Sequence, residues 1–402
     1  MILKKINVFI MLVMAVLMAA GCAAAEAKPE NTENGGRITE TVWKNENGET
    51  VPGPEGYAIV RYTYKGKDVT EMYFDADGSP FMTEEGCYGK KKTLDGKGRV
   101  VELKYLSASG ELTLNIRNFA RMTAMYSSFG EPTVITYYGL NNKPVVVPTL
   151  GYASVLTEFS GKTMTARTYR DARSQPVDIP EGYAMVKQKL NNHFQVIRIR
   201  YEHANGSPAV GPDGWYRCII DRDEDGRILS TKYYDINENL TDRGLPYAWE
   251  ERTYPAADTV QITRFDINGN KVTDENGVTT LVRIMQDEKV MRERFLDAEG
   301  QPTVNGIGVG TVVYAYDEKG RIEAVTYQDT EGVTASCSLG YAGYRDTLGE
   351  NGAPVTRLLL GPDGLPAETR DGYCEIRYQY DVFGNLSRKE YYNSAGVLVK
   401  TE

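Results

Sequence analysis

Thr311-Val312-Val313-Tyr314-Ala315-Tyr316-Asp317-Glu318-Lys319-Gly320-Arg321-Ile322-Glu323-Ala324-Val325-Thr326-Tyr327 decides the fold. Val312, Tyr314 and Tyr316 alternate with other residues, which places them on one face of an extended chain. Asp317 and Gly320 then supply turn chemistry. The aspartate can hydrogen-bond the backbone at the start of the turn, and glycine accepts positive φ at its end. This is the composition of a β-hairpin with a type I turn and a glycine bulge. Tyr327 closes the second strand. That strand does not alternate cleanly, because Ile322 and Tyr327 fall on opposite parities. A bulge, or partial cover on both faces, is expected there.

The same arrangement recurs along the chain. Aromatic residues aligned with Tyr327 run Trp43, Tyr73, Tyr105, Tyr137, Tyr169, Tyr201, Tyr233, Phe265, Phe295, Tyr327, then Leu359 and Tyr391, at steps of 30 or 32 residues. Even steps keep a strand's side chains on one face. A Gly-Tyr-Ala-like start, as at Gly151-Tyr152-Ala153 and Gly182-Tyr183-Ala184, marks a second anchor. Eleven units begin near residues 56, 86, 118, 151, 182, 214, 246, 277, 308, 340 and 372, after a half unit at 37–55. Copies of the first strand at 58–64 and 374–380 alternate in the same way. A second turn follows the aromatic, as in Asp297-Ala298-Glu299-Gly300-Gln301-Pro302. Two strands and two turns per unit predict an all-β antiparallel hairpin array of roughly 22 strands, ~105 Å long at ~4.8 Å per strand. Open sheets of that size curl, so a superhelix or spiral is expected, with a closed tube or β-solenoid as alternatives. The first-strand residues Tyr64, Leu94, Tyr126, Phe159, Leu190, Tyr254, Met285, Tyr316, Leu348 and Tyr380 are expected to fill the spaces between ladder aromatics.

Tyr316-Asp317-Glu318-Lys319-Gly320-Arg321 and Tyr380-Asp381-Val382-Phe383-Gly384-Asn385 resemble the YD repeats of the Rhs family. The resemblance extends over the repeat region in rhythm and over two units in letters. It implies a spiralling β-strip on a bacterial surface or secreted protein. The Rhs core-associated and toxin domains are absent, and the resemblance assigns no catalytic residue.

The N-terminus gives an address. Lys4 and Lys5 precede an apolar run from Ile6 to Ala20, a signal h-region in length. Ala19-Ala20-Gly21-Cys22 resembles a bacterial lipobox, which implies cleavage after residue 21 and lipidation of Cys22. Residues 22–36 read as a flexible tether, and 37–402 as the repeat domain. Loss of Lys4 and Lys5 with the leader takes the net charge from −9 to −11. An acidic chain without basic blocks argues against a nucleic-acid partner. Membrane attachment is expected through the N-terminal lipid alone, on the bacterial envelope or cell surface.

Candidate chemistry is sparse. Asp221, Asp223 and Asp225 followed by Gly226 form the front half of a calcium loop, but position twelve is Lys232, and the segment falls at a hairpin turn. Calcium is the one cofactor considered, as a weak site. Cys87, Cys218, Cys337 and Cys374 lack framework spacing, so neither a disulfide scaffold nor a zinc site is expected. Aromatic faces suit sugar rings, but the ladder is expected to be core, leaving residues such as Trp215 and Trp249 freer to bind. No nucleophile elbow, zinc helix, phosphate loop or paired carboxylates occur. A non-enzymatic surface protein is expected, binding an envelope or host glycan or serving as a structural spacer. A protein–protein scaffold is the alternative, and a carbohydrate-active enzyme a remote one.

Overall fold

The structure is a computed structural model that describes residues 27–349, 352–380 and 386–402. It contains one open antiparallel sheet of 26 strands. Each strand pairs with the next in the chain. The single skip is the two-residue strand Pro302–Thr303, which hooks onto Lys289–Leu296 while that strand continues to Thr311–Tyr316. All pairing is antiparallel and, that skip apart, between chain neighbours, so the array is a hairpin meander and not a solenoid.

Several expectations need correction. Lys28–Asn34, placed in the tether, is a strand that pairs with Arg37–Lys44 through Gly35 and Gly36. All its residues are exposed, so it is held by backbone pairing and carries no apolar periodicity for a sequence reading to find. Cys22 and the leader lie outside the described residues, as does the turn at 381–385.

The second correction concerns turns, of which each of the first ten units has three. In the ninth unit the first is closed by Gly320 N–H donating to the Asp317 carbonyl (2.9 Å) and the second by Gly332 to Asp329 (3.3 Å). Gly340 to Cys337 (3.0 Å) closes the third. The Gly-Tyr-Ala signature is therefore the end of the third turn, not simply the start of a strand. Between the second and third turns the chain folds back, with Thr334 bridging Gln328 and Ala335 N–H donating to Tyr327 O (3.1 Å).

The parity puzzle resolves through a bulge. Ala315 pairs with Ala324, but Tyr316 pairs with Ile322, so Glu323 is the extra residue. The same shift occurs at Leu94, Tyr126, Leu190, Leu348 and Tyr380. Where glycine is replaced at the first turn the backbone stays left-handed: Phe194 has φ 59° and is exposed. A β-carbon there costs about 1–2 kcal/mol.

The ladder residues occupy equivalent positions on one face. Tyr105, Tyr137, Tyr169, Tyr201 and Tyr233 each donate N–H to the next unit and accept from their own returning loop. The Gly-Tyr-Ala aromatics interleave with them. Rings run in contact through Tyr105, Phe119, Tyr137, Tyr152, Tyr169, Tyr183, Tyr201, Trp215, Tyr233 and Tyr247, with centroids 4.9–6.1 Å apart. The third-turn residue thus fills the space that was assigned to the first-strand set. Trp215, expected to be available, is 1% exposed.

Phe265 also departs from expectation. Ala248 N–H donates to Phe265 O, whereas in the preceding unit Tyr216 N–H donates to Tyr234, the residue after the ladder. The ladder site of the seventh unit is therefore Arg264, which pairs with Glu250 and lays its guanidinium over Tyr247 at 4.9 Å. Phe265 lies on the opposite face, stacked on Trp249 at 3.9 Å and 8°.

Tyr201 is 3% exposed, so Tyr201→Ala should destabilise by about 3 kcal/mol in urea unfolding. Phe194→Gly should instead stabilise by about 1 kcal/mol. An unchanged or lower unfolding midpoint for Phe194→Gly would contradict the turn assignment.

Candidate binding surface

A single sheet has two faces, and the chain covers one of them itself. The returning loops place Val147, Ile179, Ala209 and Cys337 over the ladder, and all are buried. Packing there is close enough to require glycine: a Cβ on Gly211 would overlap the ring of Tyr201, and one on Gly53 the indole of Trp43. Burial pushes the phenols of Tyr137, Tyr152, Tyr183, Tyr201 and Tyr233 upward. Tyr183, Tyr201 and Tyr233 are buried, which keeps these rings from a sugar ligand.

The hairpin tips explain the Tyr-Asp-x-x-Gly-Arg lettering. Asp95 Oδ1 accepts from the N–H groups of Lys97 (2.8 Å) and Arg99 (3.0 Å), while Oδ2 accepts from Arg99 Nε (2.7 Å). The same guanidinium lies 4.6 Å over Tyr126 of the next unit and donates to Ser127 O (3.3 Å). Tyr126 Oη returns a bond to Val100 O (2.8 Å). Tyr64, Tyr254, Tyr316 and Tyr380 make the same 26-residue reach, donating to the carbonyls of Ile38, Ile228, Val290 and Pro354 respectively. Arg222 substitutes for the tyrosine once, donating to Val196 O (3.2 Å). The first-strand aromatics are thus clasps between units, not ladder fillers.

This clasp absorbs the proposed calcium ligands. Asp223 receives the backbone N–H of Arg227 at 2.8 Å and its Nε at 2.7 Å. Asp225 lies 3.4 Å from the same guanidinium, and Asp221 accepts from Ser230 Oγ at 2.6 Å. The three do not converge, and no cluster of three or more metal-ligating side chains occurs among the described residues. The four cysteines are free and buried in different places. Burial pushes the Cys218 thiol up to about 12, which keeps it from acting as a nucleophile. Of the histidines, His203 Nδ1 is 2.8 Å from Asp178 in an exposed loop, and the backbone N–H of His193 donates to Asn191 Oδ1 (3.0 Å).

The opposite face is left for contact with other molecules. It bears ion pairs and cations stacked on rings, such as Arg121 over Tyr138 (3.9 Å) and Arg377 over Tyr392 (4.1 Å). Trp249 lies here, with Lys232 Nζ 5.4 Å from its ring. A shallow depression of about 420 Å³ opens beside Lys187, Lys189, Arg198 and Arg200. These cations were missed at the sequence level, although Lys187-x-Lys189 and Arg198-x-Arg200 carry the period-two spacing that puts each pair on one face.

No family model matches the chain, and no curated protein matches it. Solved structures give distant likenesses. The TcdB2–TccC3 structure without its hypervariable C-terminal region aligns at 9% identity and a TM-score of 0.30, over 90% of this chain and 22% of that one. The Photorhabdus luminescens Tc holotoxin pore with a TccC3 point mutation aligns at 11% identity and 0.27, over 91% and 21%. The chain thus spans about a fifth of the length of these structures. The fold rests on the strand pairing above, and no role is transferred from them.

The tips generate a pH prediction. Hydrogen bonding from the Arg99 side chain, then from its backbone N–H, holds the Asp95 carboxyl down at about 2. A lowered carboxylate contributes stability above its unfolded value near ~4 and loses it as pH falls through the folded value. The stability difference between wild type and Asp95→Asn should be constant above about pH 5 and fade toward pH 2. Urea titrations across that range check it; a pH-independent difference would exclude the ion pair as its source.

Proposed function

We propose that this chain is a lipid-anchored, non-enzymatic β-repeat scaffold displayed on the bacterial envelope, binding an envelope or host glycan through the face opposite the ladder. One observation carries this reading: the aromatic face is filled by the chain's own loops, so contact with a large ligand falls to the outer face. The leader with Ala19-Ala20-Gly21-Cys22 supports the address, and the buried thiols and dispersed carboxylates support a binding role over catalysis. Strand Lys28–Asn34 begins six residues after Cys22, so a lipid there would hold the array close to the membrane.

The anchor is tested by labelling cells with a palmitate analogue. Wild-type chain should incorporate label and fractionate with membranes, while Cys22→Ser should do neither; equal labelling of the two would overturn the anchor. Binding is tested with a glycan array and peptidoglycan pull-down on the full chain. Blank results in both would overturn the glycan reading, and a reproducible protein captured by proximity labelling would replace it with a protein scaffold.

A further inference from the structure

The fifth unit holds an arrangement that sheet stability disfavours. Across one hairpin Lys187 faces Arg200 and Lys189 faces Arg198. Like charges directly opposite each other destabilise a strand pair. The sixth unit extends the pattern, because Arg200 faces Arg217, and Arg198 leads through Ile219 to Lys232. Six cations thus share one face of four consecutive strands, ~14 Å across at ~4.8 Å per step.

The other lysine-rich hairpin behaves differently. Lys90, Lys91 and Lys92 are held by Glu85, Asp68 and Glu71 at 2.8, 2.8 and 2.5 Å. In the fifth unit Glu202 holds Lys187 (2.6 Å) and Arg200 (2.8 Å). The side chains of Lys189 and Arg198 make no hydrogen bond or ion pair among the described residues. Arg217 bonds Glu238 at 2.7 Å, yet its Nε is buried without a partner. The depression of about 420 Å³ opens where Ala166 stands opposite Lys187, and Glu158 is the one carboxylate lining it. A locally cationic hollow therefore interrupts an acidic protein.

We propose that the outer face of units five and six is a binding strip for a linear polyanionic glycan, with Lys189 and Arg198 as its free contacts. This rests on the glycan reading above and names its ligand class. Nucleic acid fits less well. The aromatic pair beyond Lys232, Trp249 and Phe265, is stacked on itself at 3.9 Å and offers bases no open platform. A protein partner would want a deep apolar pocket for an anchor, whereas this strip is shallow and charged.

The experiment measures binding of the full chain to alginate, dextran sulfate, neutral dextran and oligo(dT). Wild type should bind at least one of the two polyanionic glycans, which one distinguishing carboxylate from sulfate recognition, and should not bind neutral dextran. Added salt should weaken the binding through screening. The double variant Lys189→Glu/Arg198→Glu should lose about tenfold or more in affinity. Its far-ultraviolet circular dichroism and unfolding midpoint should stay at wild-type values, since neither side chain has a partner to lose. Lys319→Glu at an exposed hairpin tip should bind as wild type does. Undiminished binding by the double variant, no binding to either polyanion, or tighter binding to oligo(dT) would overturn the strip. If the strip fails while neutral glycans bind on the array, the broader glycan reading still stands, so the two failures are distinguishable.

Discussion

A single-layer sheet must cover one apolar face, and here it does so with its own connections. The returning segment after each second strand donates an N–H to the ladder residue's carbonyl, then lays a small or apolar side chain over the ring. Trp43 and Tyr201 show how close this cover is, since the glycines above them leave no room for a β-carbon. Everything else follows from that contact: the third turn, the position of the Gly-Tyr-Ala aromatic between two ladder rings, and the availability of only one face for outside molecules. Stability is then a sum of unit and nearest-neighbour terms, and the interleaved rings contribute to the latter.

The hairpin tips add a polar layer to the same logic. Aspartate organises its own turn, arginine is held by that aspartate and receives the next tyrosine, and the tyrosine hydroxyl satisfies the carbonyl beside the bulge. The groups that a glycine bulge would leave unpaired are thereby bonded. Where the tyrosine is absent the arginine keeps its backbone bond: with Leu348 in the next unit, Arg321 donates to Gly349 O at 2.9 Å, as Arg99 does to Ser127 O. In the seventh unit, the departure falls on the ladder itself, where Arg264 and Glu250 replace an aromatic and an apolar residue.

Much of this was legible in the letters, for identifiable reasons. The period of the aromatic series and the alternation of Val312, Tyr314 and Tyr316 express burial directly, so the hairpin array could be read. The tip turns could be read because Asp317 and Gly320 have specific backbone roles. Phe265 was misassigned because an even spacing conceals a one-residue change in register that only hydrogen bonding reveals. The third turn was missed because Cys337, Ile179 and Thr83 open it as readily as Asn115, leaving glycine as its sole regular mark. Lys28–Asn34 was missed because a strand held at an edge by its backbone needs no pattern of side chains. The cationic strip was overlooked because net charge averages over the chain, while two lysines and two arginines at alternate positions add their charges at one place.

Each tip tyrosine reaches toward the N-terminus, to a carbonyl 26 residues earlier in the chain. Every strand likewise pairs with a neighbour already present. A chain delivered N-terminus first, from a ribosome or across a membrane, therefore presents each new unit with a finished dock and never requires it to wait for sequence still to come. Growth can proceed one hairpin at a time, with only the newest edge exposed, and the number of units can change without altering the instructions for any one of them.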